Sequence, residues 1–200
     1  VDVRLYRLTS KLIALATHEA LSDWDPYEPL SGKLAEVGEF AVRHGIRLSF
    51  HPEHYTVLST PREDVLRHSV RDLDHHVTML ERMGLDERAT CNIHVGGTYG
   101  DKPSAARRFV EHFRRLEPRI AERLTLENDD KTFTALETLE LCEEVGAPMV
   151  LDLHHHMVND GGEDAVRLWP RIARTWERFG WNGKQGKQSK QQELRNDSPS

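Results

Sequence analysis

Cysteine is almost missing from this chain: Cys91 and Cys142 are the only two in 200 residues. Two cysteines cannot build a disulfide framework, and these lack the paired spacing of a zinc knuckle. No apolar run reaches transmembrane length and no charged-then-apolar leader opens the chain, so neither membrane insertion nor secretion is indicated. A reducing cytoplasm is the compartment these absences fit. No Gly-x-Gly-x-x-Gly turn follows any strand candidate, so nothing points to a dinucleotide or phosphate loop. The net charge is −6, from 27 Lys and Arg against 33 Asp and Glu, which argues against nucleic-acid binding through a broad basic surface. Divalent cations bound at an active face would change that sign locally.

Histidine is what the chain has in excess, twelve in 200 residues. Histidine rarely accumulates for packing reasons, so the positions of the twelve carry the information. Hydrophobic residues at 38% and charged residues at 30% describe a soluble globular protein, long enough for one domain or most of a larger one.

Read in order, the chain alternates strand and helix five times. Leu12–Ala16 is the first strand candidate and runs into His18. A helix over Lys33–His44 turns Leu34, Val37 and Ala41 to one side and stops at Gly45. Ile46–Phe50 is the second strand, ending at His51. Thr60, Pro61 and Glu63 read as N-cap, first-turn proline and capping-box glutamate of the best-marked helix, with Leu66, Val70, Leu73, Val77 and Leu80 as its apolar stripe. His68, His75 and His76 on that helix read as solvated or snorkelling residues with no role in chemistry. Thr90–Val95 is the third strand and carries His94 near its end. The arginine-rich helix over Lys102–Ala121 reads as a solvated outer face. Arg123–Leu126 is the fourth strand, ending at Glu127. Pro148–Leu153 is the fifth and leads into Asp152, His154, His155 and His156. A last helix over Glu163–Arg178, interrupted at Pro170, turns Val166, Trp169, Ile172 and Trp176 inward. Residues 181–200 are polar, with too little apolar surface to order themselves, and read as a disordered tail after a domain spanning 1–180. The strands read as buried on both faces, which leaves two architectures open, a doubly wound sheet and a TIM barrel.

His18, His51, His94, Glu127 and Asp152 each fall at or just past the carboxyl end of a successive strand. In a parallel barrel those ends share the face where active sites form. Imidazole and carboxylate without thiolate suit manganese, zinc or iron. Six candidate donors, His155 included, suffice for two or three ions. Ions about 4 Å apart suit phosphodiester hydrolysis, in which they activate water, orient it and stabilise the leaving oxygen. Glu127, near the middle of the series, is placed to bridge two of them.

The stretches Ser10-Lys11-Leu12, His51-Pro52-x-His54-Tyr55, Ile93-His94-Val95-Gly96-Gly97, Leu126-Glu127-Asn128-Asp129-Asp130-Lys131 and Leu151-Asp152-Leu153-His154-His155 together resemble the UV damage endonucleases. That family is related in fold to the endonuclease IV type of abasic-site nuclease. The resemblance runs from about Arg4 to Trp176. It implies a TIM barrel of the xylose-isomerase and endonuclease IV kind that nicks double-stranded DNA 5′ to ultraviolet photoproducts with manganese. His18, His51, His94, Glu127, Asp152 and His155 match the family's metal-ligand positions, with Glu127, His94 and Asp152 carrying the chemistry. His54 and Tyr55 match the side chains that probe the lesion. The family's barrel also has strands before Val1 and after Trp176, supplying a lysine, two histidines and a glutamate, so this chain reads as five to six of eight strand–helix units. The expectation is a monomeric, cytoplasmic repair hydrolase without membrane partners. A sugar isomerase or epimerase of the same fold, and an inactive fragment of the endonuclease, are the alternatives.

Overall fold

A computed structural model describes residues 3–18, 20 and 23–180. The polar stretch 181–200, expected to be a disordered tail, lies outside the described residues. Five strands, β1 (Leu5–Leu8), β2 (Arg47–Phe50), β3 (Thr90–His94), β4 (Leu124–Glu127) and β5 (Met149–Val150), form one parallel sheet in that order. Between and after them run α1 (Ser31–Arg43), α2 (Glu63–Arg82), α3 (Lys102–Arg114), the short α4 (Pro118–Ala121), α5 (Ala135–Val145), α6 (Leu153–Val158) and α7 (Ala165–Thr175). Each strand pairs with the next in sequence, so every right-handed crossover lays its helix on the same side of the sheet. A doubly wound sheet would reverse its strand order partway along. This one does not. It is a five-strand section of a TIM-barrel wall.

The register of the strands gives the wall two unlike faces. Leu48, Phe50, Cys91, Ile93, Leu124, Leu126 and Met149 alternate along the strands and lie in the core beneath the helices. Burying each large apolar side chain contributes roughly 1.5–3 kcal/mol. Arg7, Ser49, Asn92, His94, Thr125 and Glu127 share the opposite face, since successive side chains on a strand point to opposite sides. Strands β2 to β4 are buried on both faces, as expected, but only one of those faces is apolar. The barrel interior is polar, and only the helix side is oily.

The wall also curls. Arg7 on β1 reaches Glu127 on β4, and Arg47 on β2 lies 4.9 Å over the ring of Trp176. The Trp176 indole N–H in turn donates to the Met149 carbonyl of β5 at 2.6 Å. Three strand steps in a flat sheet would separate the backbones of such partners by about 14 Å, and curvature shortens the span their side chains must cross.

Several expectations need correction. Leu12–Ala16 is not a strand: only Ile13 is buried, Leu12 and Leu15 are exposed, and Leu15 adopts φ +63°. Leu5–Leu8 takes the place beside β2 that the later run was expected to fill. Arg62, in extended conformation, precedes α2, and no side chain caps that helix. The Thr60 hydroxyl instead accepts the Arg62 N–H, a local turn that competes with capping. Pro118 starts a separate α4 where one long helix was expected. Pro170 does not interrupt α7. The carbonyl it deprives of a partner belongs to Val166, 78% exposed, where water can replace the lost bond. Val37, Val166 and Trp169 face outward, while Gly38, Leu168 and Ile172 take the buried positions.

His75 and His76 are buried, not solvated; His68 is exposed as expected. The Tyr27 hydroxyl lies 2.7 Å from His75 Nδ1, and Tyr27 holds its proton because burial first, then nearby Asp74, pushes its pKa up to about 12. Burial, followed by the neighbouring His76, pulls His75 from 6.5 down to about 4. Below about pH 6.5 the unfolded chain accepts a proton that folded His75 refuses until about pH 4. The unfolded state then binds more protons, so stability is fully present above that window and falls as pH drops through it. Urea titrations across this range are expected to show a shallower loss of stability for His75→Gln than for the unaltered chain; equal slopes would exclude His75 as the titrating group.

Candidate metal centre

The donors converge because each sits where its strand ends. His51 is the first residue past β2, while His94 and Glu127 close β3 and β4 and face each other across the register. Asp152 lies two residues past β5 and caps α6, its carboxylate accepting the His155 N–H at 2.9 Å. β5 is thus shorter than expected, and the triple histidine is helical. Helical spacing fans the three apart: His154 is exposed, His156 is buried, and His155 turns toward Glu127.

Two ligand trios result, His51–His94–Glu127 and Glu127–Asp152–His155, and in each the donor atoms all lie within 4.8 Å of one another. Glu127 belongs to both and is 3% exposed. Its Oε1 lies 3.7 Å from His155 Nδ1, and its Oε2 lies 4.0 Å from His51 Nε2 and 3.7 Å from the Arg7 guanidinium. Asn92 donates its amide to the same Oε2.

Backbone carbonyls set the histidine tautomers. Nδ1 of His51 donates to the Pro52 carbonyl at 3.1 Å, that of His94 to Glu127 at 3.2 Å, and that of His155 to Asn128 at 2.9 Å. A carbonyl can only accept, so Nδ1 of His51 and of His94 carries the proton and leaves the Nε2 lone pair free for a cation, whereas His155 turns its Nδ1 toward Glu127 and Asp152. Burial, then nearby His94 and Arg7, lowers the His51 pKa against the pull of Glu127, which favours the neutral ligand form. Burial works to raise the Asp152 pKa, yet the His155 amide and the adjacent imidazoles outweigh it and keep the carboxylate charged. Neutral imidazoles with ionised carboxylates form the donor set of a divalent cation, so the residues fit one. Asn128 ties the two halves together: its side chain accepts the Asp152 N–H at 2.9 Å and donates to the Asp152 carbonyl at 3.0 Å.

His18 stands apart. It is exposed, and among the described residues it joins neither trio. It lines a cleft of about 710 Å³ with Lys11, His68, Asp72 and His75. Its placement past a strand failed with the strand itself. His54 and Tyr55 are exposed beside the centre, ring centroids 5.7 Å apart and edge to face. His54, Arg7, His51 and His94 line a second cleft of about 650 Å³. Arg7, Asn92 and Asn128 escaped the sequence reading. A signal existed for Asn92: the alternation Thr90-Asn92-His94 matches Arg123-Thr125-Glu127, two polar series of period two that end in ligands.

The fold and these donors define a TIM-barrel-type protein with a candidate divalent-metal centre at the carboxyl ends of its strands. The chain belongs to the UV-endonuclease UvdE family, whose profile matches residues 1–198. It is 44% identical over 180 residues to a UV DNA damage endonuclease of Bacillus pumilus and 41% identical over 179 residues to that of Bacillus velezensis. Those matches cover 90% and 89% of this chain but 56% of each relative, so the chain spans about half their length. The crystal structure of SacUVDE superimposes with TM-score 0.81 at 35% identity, covering 86% of this chain and 59% of that one. D-psicose 3-epimerase from Clostridium cellulolyticum shares the fold alone, with TM-score 0.56 at 15% identity over 90% of this chain and 72% of its own.

Calorimetric titration with Mn²⁺ is expected to show two binding events in the unaltered chain. His51→Ala and His155→Ala should each remove one, and Glu127→Ala both; two ions bound without Glu127 would refute the shared ligand.

Proposed function

We propose that this chain is a metal-dependent DNA endonuclease that nicks the duplex 5′ to ultraviolet photoproducts, acting as a monomer with manganese in the cell's excision repair. One observation carries the reading: a buried carboxylate shared by two ligand trios in a chain of the UV-endonuclease family. In it, His51, His94, Glu127, Asp152 and His155 hold the cations, and Glu127, His94 and Asp152 surround the reacting phosphate. His18 is a family ligand position outside this arrangement.

When bound, the cations supply Lewis acidity, lowering the pKa of water and stabilising charge on the phosphate. The protein's own side chains supply placement. His51 and His94 offer Nε2 lone pairs, His155 turns its Nδ1 toward the second trio, and Glu127 bears on both trios from the polar face of the wall. Arg7, which lines the cleft with its side chain 47% exposed, would pair with a phosphate oxygen of the bound strand. Water attacks phosphorus, the bond to O3′ breaks, and the products are a 3′-hydroxyl and a 5′-phosphate. His54 and Tyr55 enter the duplex, the tyrosine replacing the stacking that a photodimer has already weakened.

Supercoiled plasmid with and without ultraviolet irradiation tests this directly. With Mn²⁺, open circles should form from irradiated plasmid only. Tyr55→Ala should retain metal binding and lose about 5- to 150-fold in kcat/KM, the value of roughly 1–3 kcal/mol of stacking. Equal nicking of both plasmids would remove lesion recognition from the proposal. Metal binding without any nicking would leave a binding fragment in place of an enzyme.

A further inference from the structure

We infer that Asn92 and Thr125 are positioning residues for the metal centre, holding the Glu127 carboxylate in the rotation that gives each ligand trio one oxygen. The inference rests on the metal-dependent reading above and deepens it.

Asn92 on β3 and Thr125 on β4 are register partners. Both point to the polar face that carries Glu127, and both are buried, at 2% and 0% exposure. The Thr125 hydroxyl donates to Asn92 Oδ1 at 2.9 Å. The Glu127 carboxylate, which only accepts, decides which way the amide faces, and the Thr125 hydroxyl anchors its oxygen end. A hydroxyl donor on Oδ1 leaves the N–H₂ end toward Glu127, where Nδ2 donates to Oε2. A flipped amide would set its oxygen against the carboxylate, a buried mismatch, although the hydroxyl could still accept from the amide's other end.

The carboxylate needs such a hold because its terminal torsion is soft. Rotation about the last bond of a glutamate has broad, roughly two-fold preferences. At Glu127 the observed rotation sends Oε2 toward His51 and Oε1 toward His155. A quarter turn would withdraw both oxygens from their trios together. Arg7 also approaches Oε2, at 3.7 Å, but an arginine with its side chain 47% exposed is a mobile partner and does not lock the plane. The buried amide does. The chain of bonds Thr125 to Asn92 to Glu127 contains no ligand other than its last member, so its effect on a cation runs through geometry. Outer partners of metal ligands commonly weigh about 10–100-fold in affinity.

The experiment is Mn²⁺ calorimetry on the chain and its variants, paired with low-temperature EPR for a spin-coupled manganese pair and with thermal melting. Thr125→Val keeps the shape and frees the amide; Asn92→Ala removes it. Each is expected to weaken at least one of the two sites about 10–100-fold and to diminish the coupled signal. Thr125→Ser, which keeps the donor, should bind as the unaltered chain does. Variants that melt earlier yet bind two ions with unchanged affinity and an intact coupled signal would overturn the inference and leave the metal reading standing. Fewer than two ions in the unaltered chain would overturn both. If Asn92→Ala does not fold, the near-isosteric Thr125→Val decides alone.

Discussion

A charged carboxylate buried in a barrel wall is the constraint on which the rest of the site depends. Removing the charge of Glu127 from water costs several kcal/mol unless donors or cations replace the solvent. The chain surrounds it with Asn92, Arg7 and the imidazoles of His51 and His155. Those partners cannot all be supplied by one segment. They come from β1, β3, the end of β2 and the first turns of α6, so the carboxylate is satisfied only when the sheet has curled. Folding and site assembly are one event here.

The same constraint accounts for the division of the sheet. Helices packed on one side demand an oily face, and Leu48, Phe50, Ile93, Leu124 and Leu126 supply it. A polar interior on the other side lets ligands and their supports share the strands themselves. Thr125 and Asn92 sit one pleat below Glu127 and His94, so the layer under the candidate ligands also carries the hydrogen bonds that reach the Glu127 carboxylate. Rigid strands, with donors at their carboxyl ends, make a more exact frame than loops would.

Much of this was legible in the residues. His51, His94 and Glu127 stand at strand ends because a polar ligand terminates an apolar run, and that pattern survives without any tertiary information. Asp152 and His155 were legible as a pair by spacing, although the element that carries them is a capped helix. His18 misled because Leu12–Ala16 is apolar enough for a strand, and apolarity does not reveal that Leu5–Leu8 already occupies the edge of β2. His75 and His76 misled in the other direction. A histidine on a helix looks solvated until a tyrosine hydroxyl and a second sheet-facing ring close over it.

By itself, then, the sequence determined the alternation of strand and helix, the two possible parallel architectures, and the residue types that could hold a cation. Periodicity and end signals are local, and local signals suffice for those. The motif resemblance added the TIM barrel and the bridging place of Glu127, and only the tertiary structure decided which donors form each trio and that Asn92 and Arg7 stand beside Glu127. Those facts depend on which side chains meet across strands 30 or more residues apart, as Asn92 and Glu127 do at a separation of 35. No periodicity within a strand encodes a distance of that kind.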